Sequence, residues 1–132
     1  MTLTEIADKL IDWAVNEPRV RALWIEGGQL ADLRRPYRAL RLHLAADEPV
    51  YAGLAQGIAE GLAYLPTAKL VSAADTPRFT REFTFLAGDQ MFTLIAEQSY
   101  LLAKRPRVEV IPLVDKTGHL THVLDFSGRK NR

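Results

Sequence analysis

Cysteine is absent from this 132-residue chain. Disulfides, thiolate metal sites and cysteine nucleophiles are therefore excluded. No apolar run approaches the length needed to cross a bilayer. The N-terminal stretch MTLTEIADKL has no basic start followed by an apolar segment, so it does not read as a secretory signal. A cytoplasmic location is the default expectation. An excess of one charge sign is also missing. Seventeen basic and 16 acidic residues leave a net charge of +1, so nothing global draws the chain to nucleic acid or an anionic membrane. The sequence contains no P-loop, no G-x-S-x-G elbow and no Ser-His-Asp set with usable spacing.

What is present is an ordinary globular balance, 48% hydrophobic and 25% charged. The length suits one domain with one core, and the expectation is a single domain over residues 1–126 with a polar tail at 127–132. Leu3, Ile6, Ala7, Leu10 and Ala14 repeat at helical spacing, with Thr2 and Glu5 as a capping box. Residues 20–25 read as a strand entering a glycine turn at Gly27 and Gly28. A short helical turn follows through Gln29–Arg35.

Residues 37–45 form the clearest strand pattern. Leu40, Leu42 and Leu44 share one face, and Ala39, Arg41 and His43 share the other. Asp47 caps a helix running to about Leu65, with Pro49 in its first turn. On that helix Gly53, Gly57 and Gly61 form one stripe, which suggests close approach of another backbone: the underlying sheet, or a partner helix in a dimer. A strand at 68–73 is followed by a hairpin, 79–86 with 91–96, around Ala87–Gln90. Residues 97–103 suggest a short helix. A second hairpin, 108–114 with 119–124, turns at Asp115–Gly118, where glycine accommodates positive φ. Pro112 places its strand at an edge or a bulge. Phe79, Phe83 and Phe85 alternate as core residues. The element order indicates α/β or α+β with a mixed sheet.

The stretch 20–48 resembles the nucleotidyltransferase superfamily, the fold of DNA polymerase beta and the aminoglycoside nucleotidyltransferases. Trp24-Ile25-Glu26-Gly27-Gly28 is similar to that family's strand and glycine turn. The resemblance implies a nucleotidyltransferase-like mixed β-sheet with helices packed mainly on one face, plus C-terminal β-hairpins. It also implies an acidic pair at Ala39 and Arg41 and a third carboxylate at Thr93, in the strand Met91–Ile95. None of the three is acidic. Alanine and threonine offer no charged oxygen, and arginine brings a permanent positive charge to the seat of a hard cation. The expectation is a catalytically inactive relative without cofactor or metal, acting by protein association: a homodimer or a separate helical protein.

Two alternatives stay open. Arg34, Arg35, Arg38 and Arg41 lie beside the glycine turn, so Gly27, Gly28, Arg38 and Arg41 are a candidate pocket for a nucleotide or other anion. The plainer account is that these arginines are solvated, or pair with Glu26, Asp32 or Glu97. The second alternative is an active nucleotidyltransferase with relocated carboxylates, which requires two or more acids to converge near Gly27. Asp47, Glu48, Glu97 and Glu109 are the stray carboxylates available. A metal site made from His43, His119 and His122 has no supporting spacing.

Overall fold

The computed structural model describes residues 2–26, 39–60, 68–76, 80–104, 109–116, 118, 120 and 125–126. The turn expected at 29–35, Gly61, Phe79 and the segment 121–124 lie outside them.

Helix α1 (Leu3–Asn16) begins where its capping residues dictate. The Thr2 hydroxyl accepts from the Glu5 amide at 3.1 Å, and the Glu5 carboxylate accepts from the Thr2 amide at 2.7 Å. Its buried residues are Leu3, Ile6, Ala7, Leu10 and Ala14, the periodic set. Strand β1 (Val20–Glu26) follows, then β2 (Arg41–Ala46), α2 (Glu48–Glu60), β3 (Ala68–Asp75), β4 (Arg81–Ala87) and β5 (Gln90–Gln98). A short 3-10 helix (Ser99–Lys104) leads to β6 (Glu109–Asp115) and β7 (Asp125–Phe126). The fold is α+β.

The strands make one mixed sheet in the order β3-β4-β5-β2-β1-β6-β7. The pairs β2/β5 and β6/β7 are parallel and the others antiparallel. The expected hairpin β4–β5 turns at Gly88, whose φ of 65° suits glycine. Of the second expected hairpin, Gly118 carries a positive φ of 75°, and the returning segment 119–124 lies outside the described residues apart from Leu120; the strand after it, β7, pairs parallel with β6. Pro112 sits at an irregularity in the β1/β6 ladder, opposite Trp24, where a missing N–H costs no regular hydrogen bond.

Both helices cover one face of the sheet. Leu23 and Ile25 from β1, Leu42 and Leu44 from β2, Phe83 and Phe85 from β4, and Phe92 and Leu94 from β5 join the buried residues of α1 and α2 in a single cluster. Phe85 and Phe92 stack with centroids 5.3 Å apart. A second, smaller cluster on the other face contains Ala22, Trp24, Ala45, Leu102, Val110 and Leu120. Alternation lets both clusters draw on β1, and the register shift between Val20 and Ala22 puts Val20 on the same face as Leu23 and Ile25. At that irregularity Arg21 leaves the ladder and binds Asp47, with Nε 2.8 Å from Oδ2. The Asp47 carbonyl accepts from Val50 at 3.1 Å, which fixes the start of α2.

Within this chain, the two described glycines of the stripe do not mark close packing. A Cβ added at Gly57 meets nothing within 4 Å, and one at Gly53 meets only the Arg19 guanidinium at 3.9 Å. The sheet is not what these two glycines face.

Candidate functional site

The face of the sheet opposite the helices carries the polar side chains. Strand alternation puts Trp24 and Glu26 of β1, Arg41 and His43 of β2, Thr93 and Glu97 of β5, and Glu82 and Thr84 of β4 on that side. Cross-strand register then brings them together: Trp24 lies opposite His43, Arg41 beside Thr93, and Thr84 opposite Thr93.

Of the positions the family resemblance singles out, Ala39 is exposed just before β2, Arg41 is the first residue of β2, and Thr93 is its direct partner on β5. Gly27, Gly28 and Arg38, together with Asp32, Arg34, Arg35, His119 and His122, lie outside the described residues. The Arg41 guanidinium crosses β5 to reach Glu82, with Nη2 2.8 Å from Oε2. The sequence reading offered Glu26, Asp32 or Glu97 as its acid. The partner is Glu82 because β4 stands two strands away on the same face. This pair is half exposed, at 55% and 34%, so its contribution to stability is about 0–1 kcal/mol.

Further along the same face is a tighter group that sequence reading had not assembled. Glu26 ends β1, His43 is central in β2, and Glu97 lies near the end of β5. One ligand-type atom from each lies within 4.8 Å of the others. Glu26 Oε2 is 3.5 Å from His43 Nδ1, and Glu97 Oε2 is 4.0 Å from it. The three side chains are 14%, 11% and 2% exposed, which places ionisable groups in a low-dielectric setting. Trp24 organises two of them. Its indole Nε1–H donates to Glu26 Oε2 at 2.9 Å, and its ring stacks on His43 at 5.6 Å and 21°. Two carboxylates within 4.8 Å of each other repel by on the order of 3 kcal/mol at an effective dielectric of about 20. Burying two carboxylates this close together favours a compensating proton or positive charge in or beside the group. Just beyond it, Ser99 Oγ is buried with no hydrogen-bond partner among the described residues.

Two of the other stray carboxylates go elsewhere: Asp47 serves Arg21, while Glu48 stands in the first turn of α2. Sequence reading named Glu97 as a stray carboxylate but did not join it to Glu26 and His43, because its segment was assigned to a helix. It is a strand residue, held by the parallel ladder that pairs Ala45 with Glu97 and Ala46 with Gln98. Alternation puts Glu26, His43 and Glu97 on the faces opposite Ile25, Leu42 and Ala96, and the strand order β5-β2-β1 then brings them together.

Among the described residues no helix is long and apolar enough to cross a membrane. Compared with known proteins, the sequence matches no family model and no curated protein.

Proposed function

We propose that this chain is a nucleotidyltransferase-like domain without nucleotidyl transfer activity, which acts by associating with protein, first of all with a second copy of itself. The observation that carries the reading is the position of Arg41. Arg41 pairs with Thr93 across the β2/β5 ladder and its guanidinium binds Glu82; the family resemblance gives both Arg41 and Thr93 to metal-holding carboxylates. A triphosphate-bound magnesium there would meet a fixed positive charge and a neutral hydroxyl, so the charge stabilisation of in-line transfer is lost.

Strand β3 supports the association. It is the outermost strand beside β4, and all of its residues but Ala68 are exposed, including Leu70 at 37% and Val71 at 56%. An eight-residue edge of this kind is a template for pairing with another chain, and natural proteins usually blunt or cover such edges. An antiparallel β3–β3 contact would be self-complementary, as a two-fold dimer requires.

Light scattering over a range of concentrations tests the reading. The expected result is a dimer for the native chain and a monomer for Val71→Lys, because a charge on an edge strand blocks strand addition. A native chain that stays monomeric at every concentration and brings no partner through purification refutes association. Magnesium-dependent release of pyrophosphate from a nucleoside triphosphate, lost on Glu97→Gln, refutes the absence of transfer.

A further inference from the structure

We propose that Glu26, His43 and Glu97 form a binding site for one divalent transition-metal ion of the zinc, cobalt or manganese class. This goes beyond the association reading and assigns the ion no reaction. Three observations converge. First, the ligands come from three different strands, β1, β2 and β5, so their meeting is a product of the tertiary fold and not of local sequence. Second, the spacing lies close to what a cation needs. Ligands held at about 2.0–2.2 Å from one ion stand about 2.8–3.6 Å from each other in octahedral or tetrahedral arrangements. Glu26 Oε2 stands within that range of His43 Nδ1, at 3.5 Å, while Glu97 Oε2 stands 4.0 Å from it and the three atoms gather to within 4.8 Å, so an ion would draw the Glu97 carboxylate inward. A proton shared in a charge-assisted hydrogen bond would draw each pair to about 2.7–2.9 Å. Third, the surroundings are those of a supported ligand set: the Trp24 indole N–H fixes the Glu26 carboxylate and its ring fixes the plane of His43.

The donor set selects the class of ion. Magnesium and calcium take oxygen ligands and keep much of their water or high coordination, so an imidazole in a set of three is poorly matched to them. One imidazole nitrogen and two carboxylates suit first-row divalent ions, with remaining positions left to water or a further ligand.

The Arg41–Glu82 pair lies on the same face and provides an internal control. Glu82 is an acid of that face whose charge is already balanced by Arg41.

The test uses the full chain, stripped with a chelator and titrated with Co2+. Binding is read from the visible ligand-field absorption and from the fluorescence of Trp24, then by displacement with Zn2+. The expected result is one saturable site, insensitive to excess Mg2+ or Ca2+, with affinity reduced at least about 100-fold in Glu97→Gln and in His43→Gln and unchanged in Glu82→Gln; the loss exceeds the roughly 10–100-fold typical of removing a supporting group. Circular dichroism checks that each variant is folded. If both buried variants unfold, Glu26→Gln decides: a tenfold or greater loss upholds the site, and unchanged affinity refutes it. A folded native chain with no saturable Co2+ or Zn2+ binding overturns the proposal. So does binding that survives undiminished in both Glu97→Gln and His43→Gln.

Discussion

Replacing Gly57 by alanine should make this protein more stable, although a glycine repeated at every fourth position normally signals the opposite. Gly57 lies inside α2, three residues before its last described residue. Glycine in a helix costs about 1 kcal/mol relative to alanine, because it gives up more backbone freedom on folding. Whether that gain is realised depends on what the new methyl group meets. At Gly57 it meets nothing within 4 Å, so no packing penalty offsets the gain. The expected effect of Gly57→Ala is a stabilisation of about 1 kcal/mol, or roughly 3–5 °C in Tm for a domain of this length. Gly53→Ala should stabilise almost as much, since its methyl group makes an ordinary contact with the end of the flexible Arg19 side chain at 3.9 Å. Urea unfolding measures both: a raised midpoint with an unchanged m-value reports the gain in stability. A loss of stability in Gly57→Ala refutes the reasoning. If that loss grows with protein concentration, another chain packs against this face of α2, and the dimer contact is there and not at β3.

Other consequences are equally open to measurement. The Tyr51 hydroxyl donates to the Ala96 carbonyl at 3.0 Å, so Tyr51→Phe should cost about 1 kcal/mol in urea unfolding. Burial also pushes the Tyr51 phenol above its ordinary value. The neutral form is favoured by folding, so its stabilising effect is complete below the usual tyrosine range and fades as pH rises through the folded value. Ultraviolet titration should show Tyr51 ionising later than in the unfolded chain. Thr2→Ala removes one half of the capping box and should destabilise the fold by about 1 kcal/mol. The Glu5 carboxyl is held below its ordinary value by its hydrogen bonds to Thr2. Its contribution is therefore present above the unfolded value and lost as pH falls through the folded one, a slope that Thr2→Ala should flatten. Phe85→Ala empties a fully buried position stacked on Phe92 and should cost about 3–5 kcal/mol, a large share of the total stability of a domain.

Where a pattern specifies a local contact, the sequence reads correctly. The buried face of α1 follows from its 3.6-residue period and its cap, because both depend only on residues a turn apart. Alternation in β2 likewise separates Leu42 and Leu44 from Arg41 and His43. Patterns fail where the answer lies across space. The glycine stripe told which side of α2 Gly53 and Gly57 share, and was silent on what that side faces. Residues 97–103 carry helical composition, yet parallel pairing with β2 holds Glu97 and Gln98 in the strand and delays the turn to Ser99. That override moved Glu97 to His43, and so hid the three-residue group. Arg41 was recognised as a charge in the wrong place for a metal, but its partner Glu82 depends on strand order, which no periodicity encodes.

The parallel seam between β2 and β5 has a kinetic consequence. The β4–β5 hairpin and the β1/β2 pair each join segments near in sequence, whereas the seam between them waits for α2, β3 and β4 to be threaded into place. Late in folding, closing that seam does two things at once: it completes the middle of the sheet and delivers Glu97 to His43. A chain that has formed only the β1/β2 and β4–β5 pairs holds Glu26 beside His43 but keeps Glu97 away, so ion capture by all three reports closure of the seam.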